Sequence, residues 1–144
     1  MPSRFAFTRT MTARFSDMDG MGHVNNAVFL TYFEEARMAY WMHVMKRADL
    51  SGMNMILARA EVDFRSPLIA PETIVVGVGC TFIGRTSFVL EQDMYEAASG
   101  RLVAEARKVL VHYDYQALRP APITKEMRAL MLAESPGAKQ AQGS

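Results

Sequence analysis

The chain has 144 residues, a usual size for one domain; half are hydrophobic and 22% charged, enough apolar side chain to offset chain entropy and exclude a disordered polymer. Its 16 Lys and Arg nearly cancel 15 Asp and Glu, so it lacks the broad basic surface that nucleic acid requires. The one cysteine, Cys80, excludes an internal disulfide and a cysteine-based zinc motif; lying between Val78 and Phe82, it reads as a small core residue.

In chain order, Phe5, Phe7, Met11, Ala13 and Phe15 recur at every second position, which predicts a half-buried strand over residues 4–15. This stretch also carries Arg4, Arg9 and Arg14 and has no continuous apolar core, unlike a signal peptide, so the expected compartment is the cytoplasm. A loop rich in Asp, Gly and Asn follows, and its closing asparagines suit a helix N-terminus near Asn26. From Ala27 to about Lys46 the chain has no Gly or Pro, and apolar residues cover more than one helical stripe, so this helix has to be largely enclosed.

Further strands are expected around Ala58–Phe64, Ile74–Phe82 and Phe88–Met94, the last two joined by a hairpin at Gly84-Arg85-Thr86. A last strand runs from Arg101 to Tyr115, where a shift in apolar parity predicts a bulge near Arg107 and Lys108. A short helix containing Met127, Leu130 and Met131 closes a single domain over residues 1–134, and residues 135–144 are expected to be a disordered tail. No apolar run approaches the ~20 residues that span a bilayer, so no membrane partner is expected. The order gives an α+β fold, an antiparallel sheet with one long helix, whose remaining apolar surface is hidden either by the sheet or by a second copy of the chain.

The segment Asp17-Met18-Asp19-Gly20-Met21-Gly22-His23-Val24-Asn25-Asn26 carries the chemistry. The first amides of a helix point outward and attract developing negative charge, so the Asn26 amide can polarise a carbonyl while Asp19 approaches its carbon. The carboxylate can act as nucleophile, through a mixed anhydride, or as general base toward water. A thiolate is a good leaving group, with a thiol pKa near 8.5, so no strong general acid is needed.

The run from Phe15 to Phe29, with Tyr32-Phe33-Glu34-Glu35-Ala36-Arg37, resembles the signature of the 4-hydroxybenzoyl-CoA thioesterase family. Val62–Pro67, Gly84–Ser87 and Arg119–Ile123 resemble further segments of it, so the likeness covers nearly the whole chain. This resemblance implies a hotdog fold, a curved sheet around one long helix, with sites at the interface of a homodimer or a dimer of dimers. It implies that Asp19, followed by Gly20-Met21-Gly22, is the catalytic carboxylate, that the Asn26 amide polarises the carbonyl, and that no metal or cofactor takes part. His23 also resembles a histidine that assists the Asp in plant acyl-ACP thioesterases, which makes His23 a further catalytic candidate, although Met21 replaces their Asn. Many bacterial relatives have Tyr where this chain has Phe29.

Asn25, Phe29, Arg65, Arg85, Thr86 and Ser87 are the expected substrate-binding residues, the cations serving the phosphates of an acyl-CoA. The plainer readings are that Asp17 and Asp19 shape a turn, that an asparagine caps the helix, that His43 and His112 are structural, and that Glu34 pairs with Arg37. A calcium loop is excluded because the position for its bidentate Glu is Val28. The reading is therefore hydrolysis of an acyl-CoA thioester. The alternatives are a non-catalytic acyl-thioester-binding dimer, an acyl-ACP thioesterase and a hotdog dehydratase.

Overall fold

The alternating segments become strands and the Gly- and Pro-free stretch one helix in the computed structural model, which describes residues 3–49 and 51–141. The elements are β1 (Phe7–Thr12), α1 (Asn26–Met45), β2 (Met55–Phe64), β3 (Thr73–Ile83), β4 (Ser87–Glu96), β5 (Leu102–Asp114), β6 (Arg119–Pro120), α2 (Lys125–Glu134) and β7 (Lys139–Gln140). The main path of the sheet is β1-β3-β4-β5-β2, with β6 beside β5 and β7 beside β3. β1 and β3 are antiparallel. The Gly84 N–H to Ser87 O bond (2.7 Å) closes the β3–β4 hairpin, and Glu96 N–H to Arg101 O (2.9 Å) closes the β4–β5 turn. Arg65 donates to Val103 O, and Tyr113 to Asn54 O, so β2 numbering rises as β5 numbering falls: this pair too is antiparallel.

The residues pack as two compact units, Met1–Tyr40 with Val62–Val78 and Gln92–Ala106, and Trp41–Glu61 with Gly79–Glu91 and Arg107–Ser144. The division passes through α1 and through β2 to β5, so each of these elements contributes to both units.

In the first unit Phe29, Phe33, Tyr40, Ile74, Val76 and Met94 are buried, and the Phe7 ring meets Tyr40 edge-on at 5.6 Å. Buried Asp93 accepts from Ser3 Oγ (2.7 Å) and the Arg4 N–H (3.2 Å). Gly77 makes this possible, because a Cβ there would collide with Ser3 Oγ and Asp93. The first strand is thus shorter than expected at both ends: Asp93 holds the segment before it, and Phe15–Asp17 form a single 3-10 turn.

In the second unit Trp41 packs edge-on against Phe88 at 5.1 Å, and Leu90, Leu110 and Met131 are buried. Burial pushes the Cys80 thiol up to about 11, in keeping with an inert core residue. Thr124 caps α2 by accepting from the Met127 N–H (3.1 Å). The expectation of a disordered tail is corrected here. β1 pairs only with Thr73–Val78 of β3, and beyond it Ser135 Oγ accepts from the Cys80 N–H (3.1 Å) while β7 runs parallel to Phe82 and Ile83. Strand pairing of this kind uses main-chain groups and leaves no side-chain periodicity to read. Residues 142–144 of that tail lie outside the described residues.

β5 also departs from expectation. Its buried face runs Ala104, Ala106, Lys108, Leu110 without a change of parity, with Lys108 only 2% exposed, so the predicted shift near Arg107 and Lys108 does not occur. A lysine stem is apolar and can lie in a core face. The helix differs in the opposite sense. Its buried residues Phe29, Tyr32, Phe33, Ala36, Arg37, Tyr40, Trp41 and Val44 form one stripe, while Val28, Met38, Ala39 and Met42 are only half-buried and Leu30 is exposed. Glu34 does meet Arg37, at 3.5 Å. α1 ends in a paired cap in which Lys46, at φ 55°, donates to His43 O and Arg47 donates to Met42 O. Among the described residues no helix is long and apolar enough to cross a membrane.

Candidate active site

The loop between β1 and α1 is built as a small bridged turn. Met18 and Val24 form an antiparallel bridge, Asp19 N–H donates to His23 O (2.8 Å), and Gly22 N–H donates to Asp19 O (3.1 Å). Gly22 sits at φ 80°, a conformation that glycine adopts without steric cost. Val24 is buried and donates to Leu68 O (2.7 Å), which pins the turn at its base.

The two aspartates of this loop have different surroundings. Asp17 is fixed, its side chain 12% exposed, by Arg14 Nε (2.9 Å) and the Tyr32 hydroxyl (2.7 Å). Arg14, then Tyr32, hold its carboxyl below the usual range, while burial and the neighbouring Asp17 raise the Tyr32 phenol. Asp17 O also accepts from the Asn25 N–H (3.0 Å), so Asp17 joins the loop to the helix start. Asp19, by contrast, is exposed, and its Oδ1 accepts from the Met21 N–H at 2.9 Å, while among the described residues its Oδ2 has no hydrogen-bond donor.

At the start of α1, Asn25 Oδ1 accepts from the Ala27 N–H (2.9 Å) and Asn25 O accepts from the Val28 N–H (2.9 Å). Asn25 is therefore the helix cap, and the Asn26 amide, at the first helical position, has no acceptor within the helix. This leaves one outward N–H at the positive end of a 20-residue helix.

A recess of about 290 Å³ opens beside this amide, lined by His23, Val24, Asn26 and Phe29 and by Phe64, Arg65, Ser66 and Pro67. Phe29 and Phe64 meet edge-on at 5.3 Å and form its aromatic wall. Arg65 is already engaged, by Glu105 at 3.1 Å and Asp63 at 3.5 Å. Arg101 Nε donates to Ser66 Oγ (3.1 Å), which in turn donates to Leu102 O (2.8 Å).

The structure thus brings His23, Asn26, Phe29 and Arg65 to one recess, with Asn25 at its helix cap. Asp19 stands on the same bridged turn but does not line the recess. Arg85, Thr86 and Ser87 do not line it either. They form the β3–β4 turn in the second unit, where Arg85 O accepts from Ile123 and Thr86 O from His112 (both 2.8 Å). Phe64 and Ser66 are lining residues that the sequence reading did not single out; the available signal was an aromatic ending a strand directly before Arg65-Ser66-Pro67. Among the described residues no three His, Cys, Asp or Glu side chains cluster as metal ligands. Chemically, the loop offers an accessible carboxylate and an unsatisfied helix amide on one short stretch of chain.

A family model described as the thioesterase-like superfamily matches residues 13–131. A thioesterase from Thermus thermophilus, crystallised with coenzyme A and Zn, is 34% identical, with 90% of this chain and 93% of that one covered and a TM-score of 0.80. A predicted thioesterase from Bacillus stearothermophilus is 27% identical over 89% of this chain and 95% of that one, with a TM-score of 0.82. The Bacillus subtilis protein YsmA is 27% identical over 86 residues, 60% of this chain and 58% of that protein, so the match spans under two thirds of that relative. The fold is accordingly the hotdog fold.

Proposed function

The chain belongs to the thioesterase-like superfamily, and on that basis we propose that it hydrolyses an acyl-CoA thioester to the free acid and CoA. The carrying observation is the division between the two loop carboxylates: Asp17 is spent on Arg14 and Tyr32, whereas Asp19 is exposed and, among the described residues, its Oδ2 has no hydrogen-bond donor. Asp19 is the catalytic carboxylate of the proposal. As nucleophile it forms a C–O bond to the thioester carbon, the C–S bond breaks, the thiolate takes a proton from solvent, and water opens the resulting anhydride. As general base it takes a proton from the water that attacks the same carbon, the C–S bond breaks as the tetrahedral oxyanion collapses, and the thiolate leaves and is protonated by Asp19 or solvent. In both routes the oxyanion is met by the Asn26 N–H, and Asn25 acts as a positioning residue by capping the helix that aims it.

In this reading Phe29 borders the acyl end of the substrate, His23 assists Asp19, and Arg65 with Arg85, Thr86 and Ser87 serves the nucleotide end. That the carrier is CoA is supported by the Thermus thermophilus relative crystallised with it. The acting species is a homodimer or a dimer of dimers. Its support is β2, which ends the main path of the sheet and exposes Leu57 and Phe64.

The test is thiol release from short, long and aryl acyl-CoAs by the native chain, by Asp19→Asn and by Asp17→Asn. Asp19→Asn is expected to lose at least ~100-fold in kcat with an unchanged circular dichroism spectrum, while Asp17→Asn chiefly lowers the melting temperature. Equal rates for Asp19→Asn and the native chain remove Asp19 from the mechanism. Acyl-CoA binding without turnover in the native chain selects the non-catalytic binding dimer.

A further inference from the structure

The second unit contains a cavity for which the proposed hydrolysis has no use. Half-buried Met45, Met53, Met55, Met127 and Leu130 wall a space of about 200 Å³. Four unbranched, polarisable thioethers side by side make a surface that adapts to an apolar chain better than branched residues do.

Its polar groups are placed unusually. Arg47 lines the cavity, with its guanidinium against Gly52, where a Cβ would meet Nη2 at 3.4 Å. Gly52 has φ 76°, a conformation that disfavours any side chain there, and its Cα side is in van der Waals contact with the guanidinium. Glu126 lines the same cavity from the first turn of α2, yet among the described residues Arg47 and Glu126 form no ion pair with each other. An exposed guanidinium and an exposed carboxylate therefore border one space.

His112 supplies the third group. Its Nδ1 lies 2.9 Å from Pro122 O, a carbonyl that can only accept, so Nδ1 is the donor of this pair and, in the uncharged tautomer that this fixes, Nε2 is the acceptor. His112 and Asn54 also line an adjoining recess with Tyr113, Asp114 and Tyr115, so the imidazole stands where an apolar space meets a polar one.

We propose that this cavity is a binding site for a neutral alkyl amide, its chain among the methionines, its carbonyl accepting from Arg47, and its N–H donating to Glu126 or His112 Nε2. A carboxylate offers nothing to Glu126 and is repelled by it, and an ammonium suffers the same at Arg47, whereas an amide offers an acceptor to one and a donor to the other.

The probe is hexanamide, titrated into the full chain carrying 13C-methyl methionine and followed by NMR. Saturable shifts of Met45, Met53, Met55 and Met127 are expected, with hexanoate and hexylamine at least tenfold weaker. His112→Gln or Glu126→Gln is expected to weaken hexanamide at least fivefold, and Met127→Trp, which fills the space, to abolish it. Absence of saturable shifts at these methyls overturns the proposal, as does equal binding of hexanoate or indifference to both polar substitutions. Pantetheine as a second probe separates two sources of the amide. Displacement of hexanamide assigns the site to a carrier's pantetheine arm, and failure to displace it assigns the site to free alkyl amides. Because thiol release is measured apart from this titration, failure here leaves the proposed hydrolysis standing.

Discussion

β3 and β2 are both strands rich in apolar residues, yet every residue from Ile74 to Cys80 in β3 is buried and none in β2 is. β3 lies inside the main path of the sheet, between β1 and β4, and β2 lies at its end. Hydrophobic periodicity shows that a residue requires cover, whereas position in the sheet decides whether the same chain supplies it. The half-buried flank of α1, with Met38 and Met42, repeats the lesson on a helix.

Three experiments break or sharpen the contrast. Val76→Asp places a carboxylate at a fully buried β3 position and is expected to remove more than ~4 kcal/mol, leaving the chain unfolded by circular dichroism. Cys80, also on β3, provides a gentler probe. Its thiol is raised by burial to about 11 from an ordinary value near 9, so the folded state holds the proton more tightly than the unfolded one. The Cys80 contribution to stability is then full below pH 9 and falls between 9 and 11, by about 2–3 kcal/mol in total, read as the difference in pH dependence between urea titrations of the native chain and of Cys80→Ala. The smallest effect on the single chain belongs to β2: Val62→Asp is expected to change its stability by less than ~1 kcal/mol while shifting sedimentation toward the monomer. If Val62→Asp unfolds the chain as Val76→Asp does, β2 is a core strand and the contrast fails.

The order of strands and the single long helix were legible because alternation and a Gly-free run are properties of consecutive residues. β5 was misread because Lys108 counts as polar in any periodicity, although its methylene stem fills the buried face. β7 was not visible because its pairing with Phe82 and Ile83 is made by the main chain. In the loop, spacing pointed to Asp19 through the family likeness, but the reason Asp17 is unavailable lies in Tyr32, fifteen positions away, and no local rule announces that contact. Phe64 was missed for a related reason, since its role comes from meeting Phe29 across a recess.

The hold of Asp93 on Ser3 binds three distant positions into one heritable unit. A mutation that gives residue 77 any side chain expels Ser3 and leaves the Asp93 carboxylate without that donor, so it survives selection only with a compensating change at 93. Among descendants of this chain, positions 3, 77 and 93 are therefore expected to drift together, and a lineage that keeps glycine at 77 keeps the option of a tethered N-terminal segment.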